Sequence, residues 1–161
     1  MAQLKCPNCS QEFVRRVARA GSKERLLEWI SFYPFKCQVC GFRFLQWGVR
    51  FIRNEEDGRE YERLPKSLPM GFRGDHIQGE GLVLNISMGG CNFYTTSELS
   101  KGAIIRLEVR ISIDARPVVV DAAVVRHIDK QTAGVEFIQW QQNERERLQL
   151  FICGLLIGRQ S

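Results

Sequence analysis

The chain has 161 residues, of which 44% are hydrophobic and 25% charged, a composition that supports a packed core and excludes global disorder. Its formal charge is +5, but residues 1–50 carry nine Lys/Arg against three Asp/Glu, while residues 64–161 carry eleven against ten. Any polyanion-binding reading therefore attaches to the N-terminal part alone, where a basic excess also serves as a plain solvated face.

Taken in chain order, the opening Met-Ala-Gln-Leu-Lys-Cys lacks the apolar core of a secretory signal and runs straight into a cysteine pair. The longest late apolar run, Leu148 to Gly158, falls short of the ~20 residues a membrane helix needs. The expectation is a cytoplasmic protein with no membrane insertion.

Four of six cysteines form two pairs of identical spacing, Cys6-Pro-Asn-Cys9 and Cys37-Gln-Val-Cys40, with Gly41 after the second. Two residues between thiolates let a tight turn aim both sulfurs at one ion, and two such knuckles complete the tetrahedral S₄ shell that zinc accepts. Cys6, Cys9, Cys37 and Cys40 are thus the candidate ligands of a structural zinc ribbon over residues 1–50. A redox dithiol, an iron site of rubredoxin type and a nucleic-acid-binding ribbon are the competing readings. A full set of four cysteines argues against chemistry at the metal, since catalytic zinc keeps an open position. Between the knuckles, Phe13, Val14 and Val17 suggest a strand and Ser22 to Ile30 a short capped helix; Phe42, Phe44 and Trp47 suggest a second strand. Arg15, Arg16, Arg19, Lys23 and Arg25 are the residues a nucleic acid would meet.

Residues 51–58 have linker composition (Asn54-Glu-Glu-Asp-Gly58), and the stretch up to residue 79, rich in Pro and Gly, reads as linker followed by an extended entry strand of a second domain at 59–161. From about residue 80 the apolar pattern has period two. It is clearest in Ile105 to Ile113, with further strands expected at Glu80–Ile86, Cys91–Thr95, Val118–Ile128 and Ala133–Ile138. Closely spaced strands of this kind suggest a barrel or sandwich. Asn143 and Glu146 resemble a capping box, and Leu148, Phe151, Ile152, Leu155 and Leu156 recur at helical steps. That C-terminal stripe either plugs one end of the barrel or pairs with a second copy in a homodimer. Cys91 and Cys153 read as inert core thiols.

Two short motifs in this region belong together: Arg59-Glu-Tyr-Glu-Arg63-Leu-Pro65 and Asn85-Ile-Ser87-Met-Gly-Gly90. The pair resembles the signature of the PilZ family, bacterial receptors for the second messenger cyclic di-GMP. Tyr61, Pro65 and Gly134-Val-Glu-Phe137 agree with it, and the resemblance covers residues 55–161. It implies a mostly β fold, a small antiparallel PilZ-type β-barrel with a C-terminal α-helix behind the zinc-ribbon domain. Arg59 and Arg63 would bind the ligand directly, because a guanidinium can fork onto a phosphate or guanine O6/N7 and also stack on the purine. On an extended arm they lie up to about 13 Å apart, enough to reach different parts of one folded dinucleotide. Asn85 and Ser87 would offer hydrogen bonds to a guanine or ribose edge, and Gly90 would let backbone approach the ligand. Two features depart from the family pattern: Gly58 stands where many members have another arginine, and Glu60 and Glu62 add negative charge beside an anionic ligand.

These readings imply a receptor or adaptor whose arm, residues 51–65, is free without ligand and ordered by it, moving the ribbon to signal to a protein partner. The alternatives are a PilZ-like adaptor that binds no ligand and a nucleic-acid-binding zinc-ribbon regulator. No nucleophile elbow or Walker loop is present, and neither His76 nor His127 has a partner in sequence, so no enzymatic activity is expected.

Overall fold

In the computed structural model, which describes residues 4–18, 21, 24, 30–48, 60–141 and 143–159, the chain divides into two compact units, Met1–Glu62 and Arg63–Ser161. The linker 51–58 lies outside the described residues, as does the helix expected over Ser22–Ile30 apart from Glu24 and Ile30.

The first unit holds a three-stranded antiparallel sheet in the order β1 (Val14–Arg16), β2 (Phe32–Cys37), β3 (Arg43–Trp47). The sequence reading missed β2, because Phe-Tyr-Pro-Phe-Lys-Cys carries a proline and prolines are rare in central strands. Pro34 is tolerated because it lies where β1 ends. The last β1–β2 pair is Arg16 with Phe35, and one step on the Val17 N–H donates to the Pro34 carbonyl at 3.1 Å, with no return bond required. Phe35, Tyr33 and Val39 are buried with Cys6, Cys37 and Cys40 and form the small apolar centre.

The second unit is a closed six-stranded antiparallel barrel: β4 (Leu64–Arg73), β5 (Gln78–Ser87), β6 (Gly90–Tyr94), β9 (Thr132–Trp140), β8 (Val118–Asp129) and β7 (Ile104–Val109), with β7 returning to β4. The barrel with its C-terminal helix, mostly β overall, is the fold class the resemblance implied. Alternation decides what enters the core. In β7, Ile105, Leu107 and Val109 are buried while Ile104, Arg106 and Glu108 face out. The strand expected to run on to Ile113 stops at Val109, and the next amide, Arg110 N–H, donates to the Pro69 carbonyl at 2.9 Å; Ile113 is fully exposed.

The extended entry strand expected ahead of residue 80 is β4, ten residues long. Pro65 and Pro69 sit in β4 without breaking the ladder because β4 pairs with β7 only from Met70 to Arg73. Pro65 thus lies where β4 has no β7 partner, and Pro69 lies at the edge of that pairing, where its carbonyl accepts from the Arg110 N–H just past the end of β7.

Helix α1 (Glu144–Gly158) lays Leu148, Ile152 and Leu156, all buried, against β8 and β4. Its apolar stripe is therefore used within the chain. The expected capping box does not form: Asn143 is left-handed (φ 65°) and makes no side-chain cap bond. A side-chain cap normally comes from an extended N-cap residue. The anchor is instead Glu144, only 2% exposed, whose carboxylate accepts from the Val119 N–H (3.1 Å), pairs with Arg147 (2.7 Å) and reaches Arg116 (3.1 Å).

Candidate functional site

Two knuckles built alike bring the four cysteines together. In the first, the Cys6 N–H donates to the Gln11 carbonyl (2.9 Å) and the Ser10 N–H to the Cys6 carbonyl (2.8 Å). In the second, the Cys37 N–H donates to the Phe42 carbonyl (2.9 Å) and the Gly41 N–H to the Cys37 carbonyl (3.1 Å). The residue after each second cysteine is left-handed, Ser10 at φ 59° and Gly41 at φ 77°. Glycine suits that conformation, and Ser10 holds it against its usual preference. The Cys40 N–H also points at the Cys37 sulfur, 3.5 Å away.

All four Sγ atoms lie within 4.8 Å of one another, with Cys6–Cys40 and Cys9–Cys37 each at 3.6 Å. Zn–S bonds of about 2.3 Å in a tetrahedron separate sulfurs by about 3.8 Å, so this set fits a zinc-binding site. Burial pushes the Cys37 thiol far up and the Cys9 thiol up. At Cys40 burial acts in the same sense but is outweighed by hydrogen bonds from the Phe42 backbone and the Asn8, Cys9 and Cys6 side chains, which bring it down to about 7.

The second candidate site gathers where β4 begins and β5 ends. Arg63 is half-buried and immediately precedes the Leu64–Ile86 pair; Arg59 lies outside the described residues. Arg63 reaches the neighbourhood of the core thiol Cys91, which pairs with Ile86 from the other side. Burial pushes that thiol up to about 12, with the Arg63 charge acting against it. Cys91 is a buried core thiol as expected, whereas Cys153 on α1 is only half-buried.

Asn85 sits between two ladder irregularities. On one side β4 advances three residues, Pro65 to Leu68, while β5 advances two; on the other β5 advances two, Val83 to Asn85, while β6 advances one. Bulges re-aim side chains, and this pair breaks the alternation so that Val83 and Ile86, three apart, are both fully buried. Asn85 is left half-buried with its Oδ1 shielded from solvent and without a hydrogen-bond partner. Among the described residues it is the one buried side-chain N or O atom in that state.

Ser87 is buried and engaged with its own turn, its hydroxyl donating to the Gly90 carbonyl (3.2 Å) and accepting from the Gly89 N–H (3.3 Å). Gly90 opens β6, and a Cβ there would meet the Val135 carbonyl oxygen at 2.1 Å. The neighbouring strand β9 thus already demands glycine at this position.

A family model of the PilZ domain matches residues 57–153. The chain belongs to the PilZ family. Solved structures are similar to the chain as well. The Bacillus subtilis inhibitor of motility (MotI/DgrA) is 17% identical, covering 81% of this chain and 68% of its own, with a TM-score of 0.54. MrkH of K. pneumonia in its apo state is 12% identical, covering 91% and 78%, with a TM-score of 0.52. The PilZ domain of CeSA from a cellulose-synthesizing bacterium is 14% identical over 62% of this chain and 99% of that one, at a TM-score of 0.44. No curated protein sequence matches. PilZ is a family of cyclic di-GMP receptors, and PilZ domains act as receptors and adaptors. Among the described residues, no helix is long and apolar enough to cross a membrane.

Sequence reasoning missed the residues that hold the PilZ arm. Glu60 pairs with Lys36 and with Arg43 (3.6 Å), so its charge is compensated within the first unit. The Tyr61 ring lies under the Lys36 ammonium, 4.3 Å from its centroid. Residues 60–62 are therefore not the free tether that composition suggested. The signal was present in the charges: acidic residues 55–62 follow a basic segment, which reads equally well as complementarity.

Proposed function

We propose that this protein is a cyclic di-GMP receptor whose cysteine centre holds zinc and whose ligand is taken at Arg59, Arg63, Asn85, Ser87 and Gly90. The observation that carries this reading is the partnerless, buried Oδ1 of Asn85 beside the Arg63 end of the barrel. A buried acceptor left unmatched costs about 1–3 kcal/mol, and a guanine edge supplies the N–H donors that would satisfy it. Arg63, and Arg59 from the arm, would meet the phosphates and the O6/N7 edge with forked, charge-assisted bonds. Ser87 holds the turn rigid with its hydroxyl, retaining one lone pair for a ligand donor. Gly90 leaves the turn free of a side chain on the approach to it. Zinc would be held by Cys6, Cys9, Cys37 and Cys40, where it closes both knuckles and supplies folding energy to a small unit.

On this reading the ligand changes the arrangement of the zinc unit and the barrel, and that change is read by a protein partner in the cytoplasm. The decisive experiment is titration calorimetry with cyclic di-GMP on wild type and Arg63→Ala. Loss of one charge-assisted contact is expected to cost roughly 1.5–3 kcal/mol, about ten- to a hundredfold in affinity. No heat from folded wild type at micromolar concentration would remove the receptor reading and leave a protein adaptor.

A further inference from the structure

Gln38 lies between Cys37 and Cys40, is 7% exposed, and turns both ends of its carboxamide to the chain that separates the two motif arginines. Its Nε2 donates to the Glu60 carbonyl (3.1 Å) and to the Lys36 carbonyl (3.2 Å), and its Oε1 accepts from the Glu62 N–H at 2.6 Å. Taking the carbonyl of one residue and the amide of the second one on is what a neighbouring β-strand does, so the side chain stands in for a strand edge. Asn and Gln carboxamides offer a donor and an acceptor in one planar group suited to this. The Lys36 and Arg43 contacts to Glu60 and the Lys36–Tyr61 contact close on the same three residues. Each residue between Arg59 and Arg63 is therefore held by the knuckle strand or its partner β3.

We infer that Gln38 is a positioning residue for ligand binding, and that the metal centre regulates affinity for cyclic di-GMP by keeping Gln38 aimed at the arm. This rests on the functional reading above. Gln38 owes its direction to the knuckle turn: its own N–H donates to the Phe13 carbonyl (2.8 Å), and Gly41 closes the turn back to Cys37. Metal on Cys37 and Cys40 locks that turn, and its loss releases the carboxamide, the three-residue splint and the start of Arg63. An arm ordered beforehand does not have to be ordered by the ligand, so affinity rises. By linkage, ligand then tightens the hold on metal by the same factor.

The test uses the full zinc-loaded chain as wild type and Gln38→Met, which keeps length and loses all three bonds. Hydrogen exchange at the Glu62 amide, zinc content and calorimetric titration with cyclic di-GMP are read on both. The expected result is one zinc retained per chain, lost protection at Glu62, and affinity about tenfold weaker, the scale of ordering one residue's backbone. In an Arg63→Ala background the same change is expected to cost much less, because Gln38 acts through that arginine. Unchanged Glu62 protection, unchanged affinity, or full additivity with Arg63→Ala would overturn the inference; so would loss of zinc from Gln38→Met, which makes the residue part of the metal fold instead. A wild type that takes up no cyclic di-GMP overturns the functional reading. Glu62 protection in Gln38→Met then decides the clamp by itself, lost protection supporting it and retained protection refuting it.

Discussion

Replacing Asn85 by leucine separates binding from stability, because the two are expected to move in opposite directions. The Oδ1 atom is buried and unpaired, so an apolar side chain of similar shape removes an acceptor that costs about 1–3 kcal/mol to leave unmatched and breaks no hydrogen bond of that atom. Allowing for imperfect packing of the branched side chain between the two bulges, the ligand-free barrel gains about 1 kcal/mol. For domains of 60–100 residues that corresponds to roughly 4–8 °C in Tm. Affinity for cyclic di-GMP falls at the same time, by about tenfold or more, since the leucine presents nothing to a guanine N–H. Thermal and urea unfolding of the ligand-free protein give the first quantity, and calorimetry gives the second. A variant destabilised by more than about 1 kcal/mol shows that Oδ1 is satisfied in solution, and the argument from the orphaned acceptor fails. Unchanged affinity refutes the assignment of Asn85 to the ligand.

Three further outcomes are expected. Gly90→Ala drives a Cβ to 2.1 Å from the Val135 carbonyl oxygen, so the β6–β9 ladder must shift at a cost of at least about 1–3 kcal/mol, visible as a lowered urea midpoint without ligand. Glu144→Ala strands the Val119 N–H and takes the carboxylate from Arg147, which keeps the Pro117 and Arg116 carbonyls; about 1–3 kcal/mol is lost, and unfolding that matches wild type would show that the helix needs no such anchor. Zinc uptake releases protons: Cys37 and Cys9, raised by burial, hold theirs at neutral pH, whereas Cys40 titrates at about 7. Zinc affinity therefore falls as pH falls, and more steeply below about 7, where Cys40 also binds a proton; competition titrations with a zinc indicator from pH 6 to 8 check the slope.

Some of this protein was readable directly from its letters. The matched Cys-x-x-Cys pairs announced a cluster because two knuckles of equal geometry have few other uses, and the period-two run through Ile105–Val109 announced a strand because a pleated chain turns alternate side chains to the core. The two PilZ motifs located the barrel because both are short and local. An entry strand ahead of residue 80 was legible too, but not its start at Leu64, since Pro65 and Pro69 argue against a strand until one knows that pairing with β7 begins only at Met70. The cap at Asn143 failed for a similar reason, since a capping box presumes a backbone conformation that the β9–α1 connection does not adopt.

The sequence by itself determined where the candidates for chemistry stand: four thiols at ligand spacing, an arginine pair, and the Asn-x-Ser-x-x-Gly motif. Only the tertiary structure decided what each is free to do. Closing the barrel placed two bulges around Asn85 and left its Oδ1 without a partner, engaged Ser87 with its own turn and gave Gly90 a neighbour that forbids a side chain. Folding of the first unit put Gln38, an unremarked residue inside a cysteine pair, against residues more than twenty positions away. Spacing encodes local geometry, whereas hydrogen-bond satisfaction is a property of neighbours that meet only when the chain has folded.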